Sequence, residues 1–90
     1  MELMNWELRL SPQALKDAKI LERSKYFGKA KELLSVIKRN PFQNPPPYEK
    51  LKPLWGKKYS RRINSQHRLV YEVYENDRLI RVLSMWTHYE

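Results

Sequence analysis

The chain has 90 residues, no Cys, and 18 Lys+Arg against 10 Asp+Glu, for a formal net charge of +8. That length is enough for one domain, residues 1–90, with a small core, and the lack of Cys excludes disulfide staples and Cys-based zinc sites. No apolar run approaches the roughly 18–20 residues that span a bilayer, and Met1–Trp6 lacks the basic and apolar regions of a secretory signal, so a reduced, cytoplasmic protein with no membrane partner is expected.

Residues 3–8 read as a strand, with Met4, Trp6 and Leu8 on one side and Leu10 continuing the period of two. Ser11-Pro12 starts a helix: Ser as N-cap, Pro at the first helical position. Ala14, Leu15, Ala18 and Leu21 carry it for about 13 residues. After a break near Tyr26–Gly28, a second helix from Lys29 to Arg39 places Ala30, Leu33, Leu34 and Ile37 on one stripe. Asn40-Pro41 stops it, because Pro disfavours helix at the residue before it. Residues 40–58 are irregular. Asn44-Pro45-Pro46-Pro47-Tyr48 suits polyproline geometry, a stiff connection that holds the next segment of chain in a defined place.

The last third alternates. Tyr59, Arg61 and Ile63 oppose Ser60 and Arg62. In residues 67–74, Leu69, Tyr71 and Val73 form an apolar face and mark a central strand. Glu75–Arg78 is a turn and Leu79 to Trp86 the return strand of a hairpin. The fold class is therefore α+β: an N-terminal strand and two helices packed on one face of a small curved antiparallel sheet. Leu69, Tyr71 and Val73 are expected in the core, His67 as a structural residue at a strand entry, and Trp6, Trp55 and Trp86 in the core or an interface.

The charge excess points to a polyanionic partner: nucleic acid, an anionic membrane or an acidic protein. A basic but merely soluble surface is the plainer alternative. Lys29, Lys31, Lys38 and Arg39 form either a solvated helix face or a set of RNA contacts.

The two His, His67 and His88, have no carboxylate at metal-ligand spacing, and the only glycines are Gly28 and Gly56, too few for a phosphate loop. No serine-nucleophile signature is present. Neither metal nor cofactor is expected. What remains is an acid–base set with many cations, the equipment for metal-free RNA cleavage. A base takes the ribose 2′-OH proton, the oxyanion attacks phosphorus, a cation balances the phosphate charge, and an acid protonates the leaving 5′-oxygen. Glu49 is the sole carboxylate in the transition from the Pro-rich segment to the strands, and a free glutamate is ionised at neutral pH. His88 is the natural acid and Arg68 the phosphate clamp. On spacing alone, Arg68 paired with Glu72, a solvated Glu49 and an exposed terminal His88 fit as well.

Beyond spacing, the runs Pro41-Phe42, Tyr48-Glu49-Lys50-Leu51, Tyr59-Ser60-Arg61-Arg62-Ile63-Asn64-Ser65-Gln66-His67-Arg68-Leu69-Val70-Tyr71 and His88-Tyr89 resemble the YoeB/Txe toxins of the RelE superfamily. The resemblance covers residues 41–89 well and the N-terminal strand and helices in order and length. It implies a RelE-like fold and a ribosome-dependent endoribonuclease that cuts mRNA in the A site and is held inactive by an acidic antitoxin. By the same resemblance Glu49 is the general base, His88 the general acid, Arg68 the stabiliser of the transition-state phosphate, and Tyr89 the residue that orients the substrate. Lys52 and Arg62 match basic residues lining the site, and Arg61 and Lys57 join them as expected RNA contacts. If Arg61 and Arg62 lie on a strand, only one of them can face the site. The implied partners are the antitoxin, the 30S A site and mRNA, and homodimers are common in the family. The chain departs from the pattern in its extra Glu90, in Pro45-Pro46-Pro47 where better-known members have a Gly-containing connection, and in its Lys-rich helices. The alternative function is a non-cleaving basic binding module of the same fold, such as a gyrase-inhibiting toxin or a ribosome binder.

Overall fold

A computed structural model of the chain describes residues 5–51 and 57–86. In chain order these form β1 (Glu7–Leu10), α1 (Pro12–Glu22), α2 (Phe27–Arg39), β2 (Glu49–Lys50), β3 (Lys58–Arg62), β4 (Arg68–Tyr74) and β5 (Leu79–Ser84). The strands make one five-stranded sheet in the order β1-β5-β4-β3-β2. This is the expected α+β, RelE-like arrangement, with one correction. β2 to β5 are antiparallel, but β1 runs parallel to β5, with Glu7 opposite Leu79 and Leu10 opposite Val82. A period of two reveals which face a side chain takes and carries no information about strand direction.

Ser11 caps α1 as its sequence suggests. Its Oγ accepts from the Ala14 N–H at 3.1 Å, and Pro12 occupies the first helical turn. The same residue ties the helix to the sheet. Ser11 Oγ donates to the Leu83 carbonyl at 2.8 Å and its N–H to the Val82 carbonyl at 2.9 Å. The buried face of α1 is Ala14, Asp17 and Leu21, whereas Leu15, expected on the stripe, is 54% exposed. A carboxylate occupies the inward position instead. α2 begins at Phe27, slightly before the expected start, and buries Ala30, Leu33, Val36 and Ile37.

The core lies between these helices and one face of the sheet. Leu21, Leu33 and Ile37 pack with Tyr59 of β3, Leu69, Tyr71 and Val73 of β4, and Ile80 and Val82 of β5. Each such side chain, taken fully out of water, contributes about 1.5–3 kcal/mol. Trp6 is buried at the β1 end, under the Arg78 guanidinium at 4.6 Å. The Pro-rich segment bends at Pro45-Pro46, so it is not the regular extended run that its composition predicts. Trp55 lies outside the described residues. No helix among the described residues is long and apolar enough to cross a membrane.

Register separates the two faces of the sheet. Tyr59 opposite Tyr71 and Arg61 opposite Leu69 face the helices. Ser60 opposite Val70, Arg62 opposite Arg68, and Glu49 opposite Ser60 alternate onto the other face. At the β4–β5 boundary Val70 pairs with Ser84 and Tyr71 with Val82, so Leu83 is an inserted residue, a bulge next to the Arg68 end of β4.

Candidate active site on the open face of the sheet

The open face carries a groove of about 290 Å³ lined by Pro47, Tyr48, Glu49, Ser60, Arg62 and Arg68. Glu49 sits on the short edge strand β2, with its side chain 67% exposed. Arg68 opens β4 with its side chain 24% exposed. Between them lies β3. Arg68 reaches across it, and its Nη1 donates to Glu49 Oε1 at 2.9 Å and to Ser60 Oγ at 3.0 Å. Of the arrangements left open by spacing, Arg68 therefore takes Glu49. Glu72 meanwhile accepts a bond from the Tyr74 hydroxyl. Ser60, itself buried, is a site residue that the sequence reading missed. Its signal was its place on the polar side of the β3 alternation.

The strand that carries Glu49 is held from below. Tyr48, next to Glu49, packs its ring edge-on against Tyr59 at 5.8 Å and beside Phe42 at 6.2 Å. Arg61, expected to contact RNA, is only 1% exposed and belongs to this support. Its Nη2 donates to the carbonyls of Pro41 at 3.0 Å and Gln43 at 2.9 Å, its Nη1 to Pro46, and its Nε to the Tyr71 hydroxyl at 3.1 Å. The Tyr71 hydroxyl in turn donates to the Pro41 carbonyl at 2.8 Å. The physical reason for the correction is twofold. Alternation turns Arg61 to the helix side, and the irregular loop after α2 presents carbonyls that need donors once buried. Burial pushes the Tyr71 phenol above its ordinary value, with the Arg61 guanidinium opposing the shift. Burial also raises Tyr59.

Arg62 stays on the open face, is exposed and lines the groove. Lys57 is exposed but lines a different cavity, with Glu72, Tyr74 and Asp77, so it is not beside Glu49 and Arg68. Its position at the far end of β3 from Arg62 accounts for this. Lys52, His88, Tyr89 and Glu90 lie outside the described residues.

His67 is buried at the entry to β4. Its N–H donates to Asn64 Oδ1 at 2.7 Å, its carbonyl accepts from the Ile63 N–H at 2.9 Å, and its ring stacks on Trp86 with centroids 3.7 Å apart and planes at 17°. Trp86 is thus fixed next to the residue that precedes Arg68.

An exposed carboxylate and a guanidinium in one groove offer a proton acceptor and a phosphate-binding fork to a common ligand. Comparison with known proteins gives the chain a family. Residues 11–89 match the family model described as YoeB-like toxin of bacterial type II toxin-antitoxin system. Toxin YoeB of Synechocystis sp. is 43% identical over 58 residues, a match spanning 64% of this chain and 65% of that relative. The structure of the YoeB dimer from Staphylococcus aureus superposes with a TM-score of 0.79 at 38% identity, covering 96% of this chain and 100% of that one. The YoeB–YefM complex from the same organism gives a TM-score of 0.75 at 39% identity over the same shares. With the family model spanning nearly the whole chain and the fold superposing on a solved YoeB at 38% identity, the protein belongs to the YoeB-like toxins of bacterial type II toxin–antitoxin systems.

Proposed function

We propose that the protein is an endoribonuclease that cleaves mRNA in the ribosomal A site and so inhibits translation. The observation that carries this reading is the Glu49–Arg68 pair, seated on Ser60 in an open groove. Glu49 accepts the proton of a ribose 2′-OH. The 2′-oxygen attacks the adjacent phosphorus, the bond from phosphorus to the 5′-oxygen breaks, and His88 protonates that oxygen. The products are a 2′,3′-cyclic phosphate and a 5′-hydroxyl. Arg68 balances charge on the non-bridging oxygens, Tyr89 orients the substrate, and Lys52 and Arg62 hold the strand. DNA lacks the attacking hydroxyl, so the chemistry selects RNA. Every step is a proton transfer or a displacement carried by side chains, and cleavage is expected to survive EDTA wherever the ribosome stays intact.

In the free protein Arg68 already binds a carboxylate. An entering phosphodiester exchanges with it, which releases Glu49 toward the 2′-OH at the moment the phosphate docks. The exposure of Glu49 supports this exchange.

The partners accord with the same reading. The S. aureus relative forms a dimer and a complex with YefM. A net charge of +8 suits an acidic, flexible antitoxin that folds onto the basic groove, and a homodimer is the expected free form. A protein that acts on translating ribosomes is expected in the cytoplasm. The test is a map of message 5′ ends in a purified translation mixture. Cuts within codons that disappear in Glu49→Ala support cleavage, whereas arrested translation with intact message supports a non-cleaving binder.

A further inference from the structure

Arg68 is the first residue of β4, and its direct neighbour across the strand pair is Arg62. Like charges opposite one another repel, so the Arg68 guanidinium needs a partner that turns it away from Arg62 and toward Glu49. Two residues before Arg62, on the same face of β3, is Ser60, the diagonal neighbour of Arg68. Its backbone is paired with Glu49 on one side and Val70 on the other. One guanidinium nitrogen, Nη1, donates to two acceptors of opposite character. Glu49 Oε1, at 2.9 Å, is charged and belongs to a side chain 67% exposed. Ser60 Oγ, at 3.0 Å, is neutral and belongs to a residue 1% exposed. A phosphodiester entering the groove displaces the first, because both are anions that reach the same cation from solvent. The second stays, because strand pairing on both sides fixes it out of reach of water. A neutral acceptor also leaves the positive charge of Arg68 available to the phosphate, where a buried carboxylate would cancel it.

We propose that Ser60 is a positioning residue for Arg68: its hydroxyl oxygen holds Nη1 while Glu49 leaves for the ribose 2′-OH, so the guanidinium meets the phosphate already oriented. This rests on the reading of Arg68 as the stabiliser of the transition-state phosphate. Ser60 touches no reacting atom; it acts through Arg68.

Ser60→Ala removes the acceptor and little else. Single-turnover cleavage of ribosome-bound message is measured for the wild type, Ser60→Ala, Arg68→Ala and the double variant. Losing a hydrogen bond to a charged group should lower the saturating rate of Ser60→Ala about ten-fold, with half-saturation by ribosomes unchanged. In the Arg68→Ala background the same substitution should cost less than about two-fold, because no guanidinium remains to be held. An equal loss in both backgrounds, a loss confined to half-saturation, or no loss in either background overturns the proposal while leaving Arg68 in its role. Wild-type cleavage by Arg68→Ala overturns that role and this inference with it. A second measurement needs no Ser60 variant. In Glu49→Ala, rotation of the Arg68 guanidinium, followed by NMR, should stay as slow as in the wild type; rotation at the rate of a free arginine overturns the proposal.

Discussion

The Arg68 guanidinium and the Glu49 carboxylate meet at 2.9 Å from opposite sides of β3, on the solvent face of the sheet. The pair is open to water on the Glu49 side, so its contribution to stability is small, about 0–1 kcal/mol. Activity and stability should separate here. Glu49→Ala, Arg68→Ala and Arg68→Lys are expected to keep the wild-type unfolding midpoint within a few degrees, while the two alanine variants lose about 10²–10⁴-fold in cleavage. Arg68→Lys should recover only part, since an ammonium lacks the planar fork. Thermal unfolding alongside single-turnover cleavage checks both halves.

Arg61 should behave in the opposite way. Its loss leaves the Gln43 and Pro46 carbonyls without the donor that holds them, while Pro41 keeps the Tyr71 hydroxyl. An unpaired buried acceptor costs about 1–3 kcal/mol, so with two part-buried acceptors orphaned Arg61→Ala is expected to lose about 2–6 kcal/mol of unfolding free energy. Denaturant titration measures it. Because the loop it gathers leads into Glu49, cleavage should fall as well, with no change in the salt dependence of RNA binding that an exposed cation would give.

The raised Tyr71 phenol sets an alkaline limit. The folded protein holds this proton more tightly than the unfolded chain, whose ordinary value is 10.0. The stabilisation is therefore complete below pH 10, and it is lost as pH rises through the folded-state value, because the unfolded chain ionises first. Unfolding free energy should fall above pH 10, more steeply for the wild type than for Tyr71→Phe. Denaturant unfolding across that range, with tyrosinate absorbance as the titration signal, tests it.

Lys29, Lys31 and Arg39 line a broad cavity of about 840 Å³ between α2 and the Pro45-Pro46 bend, on the far side of the core from the groove. If this face meets ribosomal RNA, replacing all three by Ser should weaken ribosome association. It should also reduce the slope of log affinity against log salt by about 0.7–0.9 per lost phosphate contact. Association constants at several salt concentrations decide it, and an unchanged slope marks a plain solvated face.

Much of the fold was legible because one short pattern sufficed for each element. Ser11-Pro12 set a helix start, Ala30, Leu33 and Ile37 a buried stripe, and Leu69, Tyr71 and Val73 an inward strand face, and the structure places each accordingly. What escaped depended on partners remote in sequence. The parallel direction of β1 depends on β5, some seventy residues on. The role of Arg61 depends on loop carbonyls at Pro41, Gln43 and Pro46, which no local pattern connects to it. The burial of Asp17 depends on amide partners at the opposite end of the chain. Within the groove, Glu49 and Arg68 were singled out one by one, from their chemistry and by resemblance. Their contact, and Ser60 beneath it, came only with the pairing of β2, β3 and β4.

The central claim, that the groove cuts message on the ribosome, is tested most directly by mapping 5′ ends of a translated mRNA in a purified system with the wild-type protein and with Glu49→Ala. The expected result is a set of new ends inside codons, bearing 5′-hydroxyls, that depends on ribosomes and vanishes with Glu49→Ala. Intact message under arrested translation, or the same ends from the variant, would contradict it.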